Sequence, residues 1–192
     1  MYTDVLTPPP FIPAIDGRIY VAGIPSWRMR TAAARQASPN WCWAACIQMV
    51  LRYFGIRVSQ SDIVAAVFGL LADVPAGFAE IVASLNGFPV TANGFPAVVQ
   101  ATTLLLSDLE LAADLALELP IIVGMRRPGQ AVGHACLLTA ITFQRCPACG
   151  KILFGTVTLR DPSPWAPENL EMSWAEFCSS FLGAVRVRVQ PA

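Results

Sequence analysis

At Pro120 the spacing of the apolar residues changes period, which confines the chain to folds that combine helices with a sheet. Before Pro120 the spacing is helical. Ala45, Met49 and Tyr53 form one stripe over residues 41–54, and Gly55 stops it. Ser59 with Asp62 makes a capping box, with Asp in place of the usual Glu, that opens a helix running to Phe68. Residues 75–85 suit a further helix ended by Asn86-Gly87, and Ser107 with Glu110 caps another that runs to Leu119. Beyond Pro120 the apolar runs shorten, so residues 121–123, 132–143 and 152–160 read as strands. Ser173 with Glu176 caps a short helix, and residues 185–189 alternate Val and Arg as a half-exposed strand. The expectation is a single α+β domain over residues 1–192. An extended arm over 1–30, opened by Pro8-Pro9-Pro10 and Pro13 and containing one short strand near 18–22, precedes a helical lobe over 35–119. A β-rich antiparallel lobe over 120–192 follows.

Composition narrows what such a fold does. The 192 residues are 55% hydrophobic and 14% charged, against a usual charged share of about 25%. A chain of this kind buries a large core, which excludes intrinsic disorder. Thirteen Lys+Arg balance thirteen Asp+Glu, so there is no basic face and no nucleic-acid partner is expected. A mean hydropathy of +0.53 raises the question of a membrane span. The longest charge-free stretch, residues 81–107, has the length for one. Asn86, Gly87, Pro89, Asn93, Gly94 and Pro96 punctuate it, so it reads as turns between core segments. Residues 1–13 carry neither the basic nor the apolar region of a secretory signal. Six cysteines then fit a reducing compartment. The expected location is the cytoplasm, or outside the cell by a signal-peptide-independent route.

The residues with chemistry to offer are few. A loop containing Pro39 and Asn40 feeds the helix of residues 41–54, which puts Cys42 in its first turn. Unpaired N–H groups and the positive end of the helix dipole favour a thiolate there. His134, the one histidine of the chain, begins a strand directly after a glycine-containing loop. The strands on either side of Cys146-Pro147-Ala148-Cys149-Gly150 form a hairpin. A turn centred between Pro147 and Ala148 sets His134 opposite Asp161. A carboxylate across from an imidazole orients it as a general base and fixes its tautomer.

Gln36, six residues before Cys42-Trp43, together with Gly133-His134 and Arg160-Asp161-Pro162, resembles the motif order of papain-like cysteine peptidases. The similarity runs from about residue 35 to residue 189, with Asn40-Trp41-Cys42-Trp43-Ala44-Ala45-Cys46 its most specific part. Asp161, where larger papain relatives carry Asn, points to the compact bacterial branch of secreted effector peptidases and bacteriocin-leader peptidases. The resemblance implies a papain-like α+β fold with the active site in a cleft between the helical and β-rich lobes. It implies Cys42 as nucleophile, His134 as general base and acid, and Asp161 as the group orienting His134. The Gln36 amide would join the Cys42 backbone N–H in the oxyanion hole.

No cofactor or metal is needed for such chemistry. Cys146 and Cys149 supply half of a tetrahedral zinc site, and a plain turn with free or disulfide-linked thiols is the favoured reading. Cys46, one helical turn beyond Cys42, reads as core. Trp165 is expected to shield the His134–Asp161 pair from water. The expected activity is hydrolysis of peptide bonds in a protein or peptide substrate. In a bacterial effector or toxin, an immunity or inhibitor protein would be a second partner. A Cys-dependent deamidase or acyltransferase, and a non-catalytic interaction module, are the alternatives.

Overall fold

The computed structural model describes residues 17–87, 90–104, 108–127, 129 and 132–192. The Pro8–Pro13 part of the arm and the Ser107 cap lie outside them. In chain order the elements are β1 (Tyr20–Gly23), α1 (Ser26–Ala32), α2 (Cys42–Tyr53), α3 (Gln60–Phe68), α4 (Phe78–Gly87), β2 (Val90–Ala92) and β3 (Phe95–Leu104). Then follow α5 (Asp108–Ala116), β4 (Ile121–Met125), β5 (His134–Arg145), β6 (Ile152–Arg160), β7 (Leu170–Ser173), α6 (Trp174–Ser180) and β8 (Phe181–Pro191). The fold is α+β, with one eight-stranded sheet in which every pairing is antiparallel. The order is β2-β3-β8-β4-β5-β6-β7, and β1 pairs with β5 beyond the end of β4.

Helices cover both faces of that sheet. Residues of α1 to α4 pack on one face, against Val99, Ala101, Ile122, Ala135, Leu137, Val185 and Val187. Leu111 and Leu115 of α5 and Phe177 of α6 pack on the other, against Ile121, Val123, Cys136, Leu138 and Ala184. This double cover explains the unbroken apolar run at the start of β4, because both of its faces are buried. Trp43, Ile47 and Leu51 of α2 are all but fully buried, each contributing roughly 1.5–3 kcal/mol through burial. Both capping boxes form as read, Ser59 with Asp62 and Ser173 with Glu176.

Three expectations need correction. Residues 17–30 do not continue as an arm: Val21 and its neighbours pair with β5, and Met29 and Ala32 bury one face of α1. The sheet is not confined to residues 120–192, because β3 pairs with β8 along eight positions. Asn93 and Gly94, both at positive φ, turn β2 into β3, so a stretch read as loose turns is a hairpin. The Val-Arg strand alternates as expected, with Val185 and Val187 buried and Arg188 exposed. Asp114 of α5, almost wholly buried, accepts from Arg186 Nε at 2.5 Å. Among the described residues no helix is long and apolar enough to cross a membrane.

Candidate active site

Cys42 is the first residue of α2, following Trp41 at the N-cap position. The loop before it is held from several sides. Asn40 N–H donates to Asp73 Oδ1 at 2.9 Å, Trp41 Nε1 to the Ala72 carbonyl at 2.8 Å and Trp43 Nε1 to the Val74 carbonyl at 3.1 Å. The buried Gln60 accepts from Ala37 N–H at 2.9 Å and donates to the Arg35 carbonyl at 2.7 Å. Helix α2 therefore starts at a fixed point, with first-turn N–H groups that have no carbonyl partner within the helix.

His134 opens β5 opposite Met125, the last residue of β4. Cys42 Sγ accepts the Ala135 N–H at 3.5 Å, which sets the thiol beside the start of β5 where His134 stands. On its other side, His134 Nε2 meets Asp161 Oδ1 at 2.7 Å. Cys42, His134 and Asp161 are thus assembled in a row, each at least mostly buried. The hairpin register that brings them together differs from expectation by two residues. Leu137 opposes Arg160 rather than Thr158, with a further shift at two bulges. The cause is the turn, which closes through Gly150 N–H to the Cys146 carbonyl and Cys146 N–H to the Lys151 carbonyl, so it holds four residues rather than two. Asp161 consequently lies just past the end of β6 and reaches back to His134 from the loop.

Electrostatics across this row favours separated charge. Burial pushes the Cys42 thiol up, but hydrogen bonds from His134 and the Ala135 and Trp43 backbones, with the imidazolium charge, bring it below its ordinary value. Burial alone would lower His134; its bonds to Asp161, Cys136 and Cys42 outweigh that and raise it to about 11. Burial raises Asp161, yet bonds from His134 and Ser163 hold it well below the usual carboxylate range. All three shifts run toward the charged forms: the thiol is lowered, the imidazole raised and the carboxyl lowered. By contrast, burial pushes Cys46 far up, as suits an inert core thiol.

Two expected contributors are placed differently. Gln36 Nε2 donates to the Ser38 carbonyl at 3.0 Å and the Pro39 carbonyl at 2.7 Å. Its Oε1 is buried without a partner. Two carbonyl oxygens converge on the amide, and only its N–H end satisfies them, so the donor is engaged within its own loop. Trp165 is 96% exposed and shields nothing. Its loop is anchored through its carbonyls instead, so the ring is left in solvent.

Sequence reading missed two arginines here. Arg127 Nη2 donates to Asp161 Oδ2 at 2.9 Å and to Ser163 Oγ at 3.0 Å. Arg35 donates to the carbonyls of Asp161, Ser163 and Ala166 at 3.1, 2.8 and 2.9 Å. With Gln36 N–H on the Pro162 carbonyl at 2.8 Å, it straps the Asp161 loop to the segment leading into Cys42. The available signal was a set of arginines placed beside motif residues in a chain with little charge.

Beside Cys42 and His134 opens a cavity of about 350 Å³ lined by Trp43, Phe78, Ile81, Val132 and Leu182. Phe78 lies against Gly124 and Gly183, which face each other across β4 and β8. A Cβ on either glycine would come within 3 Å of that ring, so the pair leaves the ring its place. The ligand atoms of His134, Cys136 and Asp161 lie within 4.8 Å of one another. The chemistry of this set is poor for a cation: Asp161 already accepts three donors, and one of them is the Arg127 guanidinium. Cys149 N–H donates to Cys146 Sγ at 3.2 Å in the hairpin turn. Cys136 lies near the opposite end of β5 from that turn.

A family model described as papain-like cysteine protease AvrRpt2 matches residues 27–181. In structure the chain is similar to the peptidase domain of Streptococcus ComA, a bi-functional ABC transporter involved in a quorum-sensing pathway. The TM-score is 0.56, covering 83% of this chain and 97% of that one, at 16% identity, a likeness of fold. No curated protein matches the chain.

Proposed function

The chain belongs to the papain-like cysteine proteases of the AvrRpt2 family, and from that premise we propose that Cys42, His134 and Asp161 are its catalytic triad. The observations that carry the reading are the Ala135 N–H on Cys42 Sγ at 3.5 Å, which sets the thiol beside the His134 backbone, and the 2.7 Å contact from His134 Nε2 to Asp161 Oδ1. In this reading the Cys42 thiolate attacks the carbonyl carbon of the scissile peptide bond. The negative charge that develops on the carbonyl oxygen meets the Cys42 backbone N–H at the start of α2. Gln36 is the second donor. Moving one N–H from the neutral Pro39 carbonyl to an oxyanion replaces a hydrogen bond with one roughly twice as strong. The His134 imidazolium then protonates the leaving amine, which departs and leaves a thioester on Cys42. His134 next takes a proton from water; the resulting attack releases the carboxylate product and restores the thiolate–imidazolium pair. Asp161 keeps the imidazole oriented throughout.

The substrate is a protein or peptide. The apolar cavity next to Cys42 and His134 supports an apolar side chain beside the scissile bond. The family name supports a bacterial effector role, in which a signal-peptide-independent export route and an inhibitor protein would find their place. Mass spectrometry of a confirmed substrate tests the chemistry. Peptide hydrolysis gives two fragments whose summed mass exceeds the substrate by one water. A change of about one dalton without cleavage would instead identify a deamidase, since the same thiol and imidazole serve both reactions.

A further inference from the structure

We infer that Arg127 is a positioning residue, one that keeps the Nε2 proton of His134 on Asp161. The inference rests on the triad reading above. Asp161 has two carboxylate oxygens and three donors. Oδ1 receives His134 Nε2 at 2.7 Å and Ser163 N–H at 2.8 Å; Oδ2 receives only Arg127, at 2.9 Å. Without Arg127 the carboxylate keeps the two donors on Oδ1 but loses the charged one on Oδ2, so its last torsion is held from one side only.

The second contact matters as much. Ser163 Oγ lies 3.4 Å from His134 Nε2, close enough to compete with Asp161 for the same proton. The same Arg127 Nη2 donates to that hydroxyl at 3.0 Å. One nitrogen thereby secures the carboxylate oxygen facing away from His134 and draws the rival acceptor aside. Its placement is built into the fold. Met125, two residues earlier, pairs with His134 across β4 and β5, and the Arg126 N–H donates to the Ser180 carbonyl at 2.6 Å. The chain therefore delivers the guanidinium from a fixed backbone. The resulting line of groups alternates in sign: thiolate, imidazolium, carboxylate, guanidinium.

A double-mutant cycle on the full chain tests this. Arg127→Ala is expected to lower kcat about tenfold or more with KM nearly unchanged, since a small misplacement of a reacting group costs up to about 10²-fold. Because a single nitrogen makes both contacts, the Lys ammonium of Arg127→Lys should recover kcat to within about threefold of wild type. In an Asp161→Ala background, Arg127→Ala should add almost nothing, because its target is gone. Should Arg127→Ala fail to fold, Arg127→Gln serves in its place, since its amide keeps a donor without the charge; its kcat should fall between those of wild type and Asp161→Ala. An equal loss on both backgrounds, or a rise in KM alone, would show that Arg127 acts on substrate and overturn the inference. So would an inert Arg127→Ala beside a strongly impaired Asp161→Ala. An inert Asp161→Ala would instead remove the triad reading itself.

Discussion

Cys42→Ala is expected to cut turnover by at least about 10⁴-fold, the scale at which loss of a catalytic nucleophile is felt in acyl-transfer enzymes. The fold should survive the change. Cys42 contributes one small side chain at the start of α2, and Ala is the best helix former. The side-chain contacts given up are those with the Ala135 N–H and with His134. Thermal unfolding should move by only a few degrees. Full activity of Cys42→Ala on a confirmed substrate would end the assignment. Loss of activity together with loss of the folding transition would assign Cys42 a structural role instead.

His134→Ala should be nearly as damaging, because His134 is the only histidine in the chain and no second imidazole can take over. Two effects combine. The leaving amine loses its acid, and the thiol loses the hydrogen bond and charge that bring it below its ordinary value. The expected fall in kcat/KM is again at least about 10⁴-fold. The variant should stay folded, since Asp161 keeps its bonds from Ser163 N–H and Arg127. Kinetics on the purified variant, with circular dichroism as the fold control, measure this. A loss of tenfold or less would exclude His134 as the base.

The elements that carry the site were legible because each has a local signature. Cys42 follows a Pro-Asn loop at a helix start, His134 begins a strand after glycine, and both capping boxes name their own helices. What escaped depends on contacts far apart in sequence. Arg127 meets Asp161 across 34 residues and Arg35 meets the same loop across 126, and no periodicity encodes such pairs. The hairpin register was misplaced because Pro147 and Gly150 suggest a tight turn, whereas hydrogen bonds to Lys151 and from Gly150 close a longer one. The β2–β3 hairpin is a different kind of miss. Asn93-Gly94 between apolar runs is a strong hairpin signal, and it was read only as punctuation. Gln36 shows the reverse limit: its position was legible, but which way its amide faces is decided by the Ser38 and Pro39 carbonyls.

The pH dependence of Cys42 alkylation tests the thiolate–imidazolium pair most directly. Rising pH removes the thiol proton, so labelling climbs as pH passes the lowered value of Cys42 and then levels off while His134 stays protonated. In His134→Ala the opposing burial remains and the imidazolium is gone, so the climb moves to higher pH. With iodoacetamide and peptide mapping at pH 7, the account predicts that Cys42 of the wild type reacts faster than Cys42 of His134→Ala, because the hydrogen bond and charge that lower the thiol are lost with the imidazole. Equal rates at pH 7 in the two proteins would contradict it.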